Sequence, residues 1–78
     1  MLTCTNKVVR VYQADLVKEG NAHALFAVYQ NAQALNDQLP PLYRDEIEFT
    51  FDYDSSDDLY TQAEDAIKNL AGFSSCTN

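Results

Sequence analysis

The sequence predicts a small α+β domain in two layers, a twisted sheet of two or three strands packed on two helices. Three observations carry that expectation. Ile47, Phe49, Phe51 and Tyr53 alternate with Glu46, Glu48, Thr50, Asp52 and Asp54 between Asp45 and Asp54, and successive side chains of a strand point to opposite faces. Val8, Val9, Val11 and Val17 concentrate β-branched residues in one stretch, as strands do. Leu59, Ala63, Ala66, Ile67 and Leu70 recur at helical spacing. The preferred order is βαβα, with ββαβα as the alternative.

Taken in order, Met1 to Asn6 is short and polar and reads as a loosely ordered or edge segment. Lys7 to Val17 is the first strand, with Arg10 on the face of Val8 and Tyr12. If it pairs with the acidic strand, Arg10 or Lys7 stands across from Glu46, Glu48 or Asp52. Lys18-Glu19-Gly20-Asn21 is a break with two readings. In the preferred one Asn21 caps a helix running to about Leu39. Leu25, Val28, Tyr29, Ala32, Leu35 and Leu39 form its apolar stripe, and five alanines support it. In the other, Gly20-Asn21 turns a hairpin, His23 to Tyr29 is a strand and Asn31 caps a shorter helix. The off-stripe position of Phe26 favours this second reading, as does the better support three strands give a sheet.

Pro40-Pro41 ends either helix and returns the chain extended into the acidic strand. Ser55 with Asp58 three residues on forms a weak capping signal. Asp57 and Asp58 then occupy the first turn, where carboxylates oppose the positive helix end. Glu64 and Lys68 make an i,i+4 pair. Gly72 supplies a left-handed cap, with Phe73 folded back on the last turn. Residues 74–78 are expected to be loose.

A chain of 78 residues makes one domain over 1–78 with a modest core and marginal stability, so dimerisation is a natural outcome. Nine aromatics and a hydrophobic fraction of 46% argue for a folded chain. The two cysteines, Cys4 and Cys76, allow one bridge and no metal cluster. With no secretory leader or membrane-length apolar run visible, the default is a reducing cytoplasm and two free thiols.

The formal charge is −7, which repels nucleic acid and anionic membranes and favours basic surfaces. Its distribution is uneven. Residues 1–44 hold Asp15, Glu19 and Asp37 against Lys7, Arg10, Lys18 and Arg44. Residues 45–65 hold Asp45, Glu46, Glu48, Asp52, Asp54, Asp57, Asp58, Glu64 and Asp65 with no base. A solubilising face is the ordinary meaning of such acids; an acidic recognition surface is the functional one.

Catalytic signals are weak. Asp52-Tyr53-Asp54 resembles the Asp-x-Asp motif of haloacid-dehalogenase-type phosphotransferases, which follows an apolar strand. Ser55 and Ser56 stand where that family has its small-residue and Thr or Val positions, and the chain is too short for the family's later motifs. Read as a calcium loop from Asp52, the sequence puts Asp57 at the Gly position and Ala63 at the bidentate Glu position. A strand-to-helix turn with capping aspartates accounts for the same residues. His23 has no evident nucleophile partner. No phosphate loop or nucleophile elbow is present. No catalytic residue, metal ligand or cofactor is assigned.

The leading expectation is therefore a non-enzymatic binding protein. Glu46, Glu48, Asp52 and Asp54 would stand at steps of about 6.7 Å along one strand face, extended by Asp57, Asp58, Glu64 and Asp65 on the adjoining helix. Such a row imitates a phosphate backbone, and its natural target is a basic protein that itself binds nucleic acid. Small acidic inhibitors such as anti-CRISPR and anti-restriction proteins are similar in size and charge, and a protein of that kind would act in the host cytoplasm. The alternative is a structural or regulatory homodimer whose contacts are apolar and tyrosine-rich and whose acids serve solubility.

Overall fold

Four strands form one antiparallel sheet in the order β1-β2-β3-β4, so every neighbour in space is also a neighbour in sequence. The structure is a computed structural model describing residues Met1–Asn78. The strands are β1 (Leu2–Thr3), β2 (Val8–Lys18), β3 (Asn21–Tyr29) and β4 (Tyr43–Thr50); the helices are α1 (Ala32–Asn36) and α2 (Leu59–Lys68). This overturns the expected sheet of two or three strands on two helices. The long helix over 21–39 does not form; that stretch instead follows the second reading, with a hairpin turn at Gly20, the inner strand β3 through His23 to Tyr29, and the short helix α1 capped by Asn31.

The physical reason lies in β3. Ala22, Ala24, Phe26 and Val28 alternate along its length and are all buried. At its C-terminal end Ala27 and Tyr29, on the opposite face, are buried too. A strand covered on both faces reads as a continuous apolar run, and such a run also fills a helical stripe. Of the five alanines that suggested a helix, Ala22, Ala24 and Ala27 are buried in β3, and only Ala32 and Ala34 lie in a helix. Packing overrides the helix propensity of the first three.

The β2–β3 hairpin closes at Glu19-Gly20, with Lys18 paired to Asn21. Gly20 has φ +78°, a left-handed conformation that glycine adopts without steric cost. β2 is bulged between Val11 and Gln13 and again between Leu16 and Lys18, and each bulge interrupts its alternation. β3 pairs with β4 as well, matching Ala22 to Phe49, Ala24 to Ile47 and Phe26 to Asp45. β2 and β4 are therefore separated by a strand, and Arg10 does not face the acids of β4. β4 itself is shorter than the expected 45–54 strand: it stops at Thr50, and Asp52 to Asp54 lie in the following turn.

α2 covers one face of the sheet. Ile67 joins Leu2, Val9, Phe26, Val28 and Phe73 in the core, with Val11, Ile47 and Leu70 packed against it. Phe26 and Phe73 meet edge-to-face, 6.0 Å between ring centres, and the Lys7 ammonium sits 4.1 Å above the Phe73 ring. Gly72 (φ +86°) turns the chain so that Phe73 can enter. It lies beyond the helix cap, which is Asn69.

The ends of the chain are not loose. Thr3 and Thr77 exchange two backbone hydrogen bonds of 2.9 Å, and Cys4 is bonded to Cys76. The expectation of two free thiols is corrected: both sulfurs are buried in the core cluster. Only fourteen residues are buried, none of them polar. A core that small is the usual setting for a covalent staple. No helix is long and apolar enough to cross a membrane.

Candidate functional site: a carboxylate face

The sheet face away from α2 carries the acids of β4. Cross-strand register matches Glu48 to His23 and His23 to Asp15, and Glu46 to Leu25. Directly opposed residues share a face. Asp15, His23 and Glu48 therefore form a line across three strands, with Glu46 one step along. Glu46 and Glu48 are exposed. His23 Nε2 lies 3.0 Å from Glu46 Oε2, a charged pair only when the ring is protonated. Arg10 and Arg44, the two arginines on this face, make no ion pair with any of these acids; the ion pairs of the molecule are Met1–Glu64, His23–Glu46 and Lys68–Asp65.

The remaining sequence-predicted residues divide into two further groups. Asp52, Asp54, Asp57 and Asp58 occupy the loop from β4 to α2. Gln62 organises this loop from the first turns of the helix. Its Oε1 accepts from Asp52 N at 2.8 Å, and its Nε2 donates to the carbonyls of Asp52 and Asp57 at 3.0 Å each. Asp52 Oδ1 accepts from Asp54 N, closing a side-chain turn. Ser55 Oγ accepts from Asp57 N, so Ser55 supports the loop and does not cap the helix. The cap is Asp58, whose Oδ1 accepts from Thr61 N at 2.8 Å. That bond, with a second from the Thr61 hydroxyl, holds the Asp58 carboxyl below its ordinary value of 3.8. Asp52, Asp54 and Asp57 keep exposed carboxylates.

Glu64 and Asp65 are on α2, across the sheet from Glu46 and Glu48. Glu64 is engaged by the Met1 α-amino group at 2.6 Å, and Asp65 pairs with Lys68 at 3.0 Å. The expected Glu64–Lys68 pair is thus replaced by an i,i+3 pair. The eight residues Glu46, Glu48, Asp52, Asp54, Asp57, Asp58, Glu64 and Asp65 lie on three parts of the molecule and do not make one row. No group of three His, Cys, Asp or Glu side chains is arranged to hold a metal ion.

Two members of the sheet face, Asp15 and His23, were not among the contact residues expected from the sequence. Strict alternation would have found Asp15 on its true face only with the bulge at Val11/Gln13 in hand. His23 takes its place on this face because 23–29 is a strand, as in the second reading of the sequence. No family model matches the chain, and no curated protein and no solved structure matches it either.

Proposed function

We propose that the protein is a non-enzymatic binding protein whose open sheet face receives a basic protein surface, of the kind that otherwise binds nucleic acid. The observation that supports this most directly is the line Asp15, His23, Glu48 with Glu46 beside it. Its carboxylates are exposed and carry no lysine or arginine counter-ion. Unpaired charge of one sign on an open surface attracts the opposite sign at long range. The loop acids Asp52, Asp54 and Asp57 would enlarge the negative field at the end of β4. Glu64, Asp65 and Asp58 are already engaged in the fold and are set aside as contact residues.

The homodimer reading has one observation in its favour: β4 is an edge strand with an unpaired outer edge. Pairing two copies of that edge would bring Asp45, Glu46 and Glu48 close to their own copies, and like charges across a ladder destabilise it. The same edge tolerates a strand bearing lysine or arginine. The basic-partner reading is therefore placed first. A cytoplasmic site of action rested on free thiols and loses that ground to the Cys4–Cys76 bridge; the basic partner does not depend on it.

The test is calorimetric binding to basic nucleic-acid-binding domains at low and high salt, with duplex DNA as competitor. Binding should weaken with salt, be displaced by DNA, and be lost in the double variant Glu46→Lys/Glu48→Lys. Affinity that is unchanged by the double variant refutes the reading. A salt-resistant dimer in sedimentation supports the homodimer instead.

A further inference from the structure

At the other end of the same sheet face the charge has the opposite sign. Ala27 of β3 is paired to Arg10 on β2 and to Arg44 on β4. The two arginines therefore flank one small side chain, their Cα atoms separated by two strand spacings, about 9.5 Å. Neither makes an ion pair in a chain of net charge −7. Both line a cleft of about 400 Å³ whose floor includes Tyr29 and whose walls are Leu35, Leu39, Pro40 and Pro41. Ala27 and Tyr29 are buried beneath it.

The wall is built by a defined turn. α1 ends in paired bonds from Gln38 N to Leu35 O at 3.1 Å and from Leu39 N to Ala34 O at 3.0 Å, the helix-ending pattern that places the residue just after the cap, Asp37, in the left-handed region. Gln38 is that residue, with φ +58°. It is the only non-glycine in the chain with positive φ, and it lines the cleft. Pro40-Pro41 then fixes the extended segment that closes the far side.

We propose that this cleft is a binding site for a small organic carboxylate with an apolar body. The carboxylate would bridge the Arg10 and Arg44 guanidiniums, which present forked donors suited to a planar anion. The apolar body would lie against Leu35, Leu39 and the prolines. The volume is in the range of small-ligand sites, and the lining sets the two arginines and Gln38 beside an apolar wall, so it offers polar and apolar surface together. A bare anion satisfies the arginines and leaves the apolar wall unused. A neutral ligand leaves the arginines without a partner.

The experiment is a titration of ¹⁵N-labelled protein, bridge intact, with sodium benzoate at constant ionic strength, followed by amide shifts. Benzyl alcohol and inorganic phosphate serve as the neutral and the non-apolar probes. Benzoate should give saturable shifts centred on Ala27, Tyr29, Gln38 and Leu39, with phosphate weaker and benzyl alcohol without effect. Arg10→Gln and Arg44→Gln should each weaken benzoate binding by about tenfold, with amide spectra otherwise like the parent's. Arg44→Lys, which keeps the charge but loses the fork, should fall between. Non-saturating or surface-wide shifts, phosphate equal to benzoate, or an Arg10→Gln variant that titrates like the parent would overturn the proposal.

Discussion

Cys4 and Cys76 are bonded to each other across 72 residues of sequence, and that bond lies beside the two-way hydrogen bonding of Thr3 with Thr77. The fold is thus closed by its own ends. β1 and the chain after α2 are held together where each alone would be too short to stay folded.

Loop closure of this length is worth about 4 kcal/mol in the chain-entropy account. A domain this small has only a few kcal/mol in total. Reductant, or the double variant Cys4→Ala/Cys76→Ala, should therefore bring the protein close to its unfolding midpoint at room temperature. Urea melts with and without reductant measure this; coincident curves would show that the bridge contributes nothing.

Phe26 is the largest fully buried side chain and meets both the sheet core and Phe73. Phe26→Ala should cost about 3–5 kcal/mol and leave the bridged protein without a cooperative thermal transition. Leu39→Ala, at an exposed position, should melt close to the parent.

Gln38 holds a left-handed conformation, φ +58°, at a helix end where glycine is the usual occupant. Gln38→Gly should stabilise the protein by about 0.5–1 kcal/mol, because the removed steric cost exceeds the added backbone freedom. A lower melting temperature in this variant would mean that the Gln38 side chain makes a contact worth more than the strain.

Asp58 caps α2 with its ionised carboxylate, and its folded pKa is lowered by the Thr61 bonds. The sign follows. The unfolded chain takes up the proton first as pH falls, so the contribution is complete above the ordinary value of 3.8 and disappears as pH drops through the lowered folded value. Asp58→Asn keeps a capping oxygen but no charge. Its melting temperature should fall less steeply than the parent's below about pH 4. Parallel pH profiles for the two proteins would contradict this account of the cap.

Part of the candidate surface was legible in the sequence. Glu46 and Glu48 alternate with Ile47 and Phe49, and the structure exposes the first pair and half-buries the second. Continuing the same alternation through Asp52 and Asp54 failed, because β4 ends at Thr50. Beyond it, Phe51 N donates to the Gly20 carbonyl, and the amides of Asp52 and Asp54 go to the side chains of Gln62 and Asp52. Those partners are specific to the packed fold and leave no periodic trace. The arginine cleft had no sequence signal, since Arg10 and Arg44 meet only through Ala27.

By itself the amino-acid sequence determined the acidic second half, the strand at β2, the alternating acids within β4 and the amphipathic helix at α2. Each of these is a local pattern, read from neighbours along the chain. Only the tertiary structure decided that 21–29 is a strand. It also decided that β3 separates β2 from β4, that Cys4 reaches Cys76, and that Glu64 and Asp65 face away from Glu46 and Glu48. The reason is that a nine-residue stretch whose last six residues, Ala24 to Tyr29, are all apolar satisfies its backbone equally as helix or strand. The choice falls to whichever arrangement buries Phe26 and Val28 against distant partners, and those partners are not neighbours in sequence.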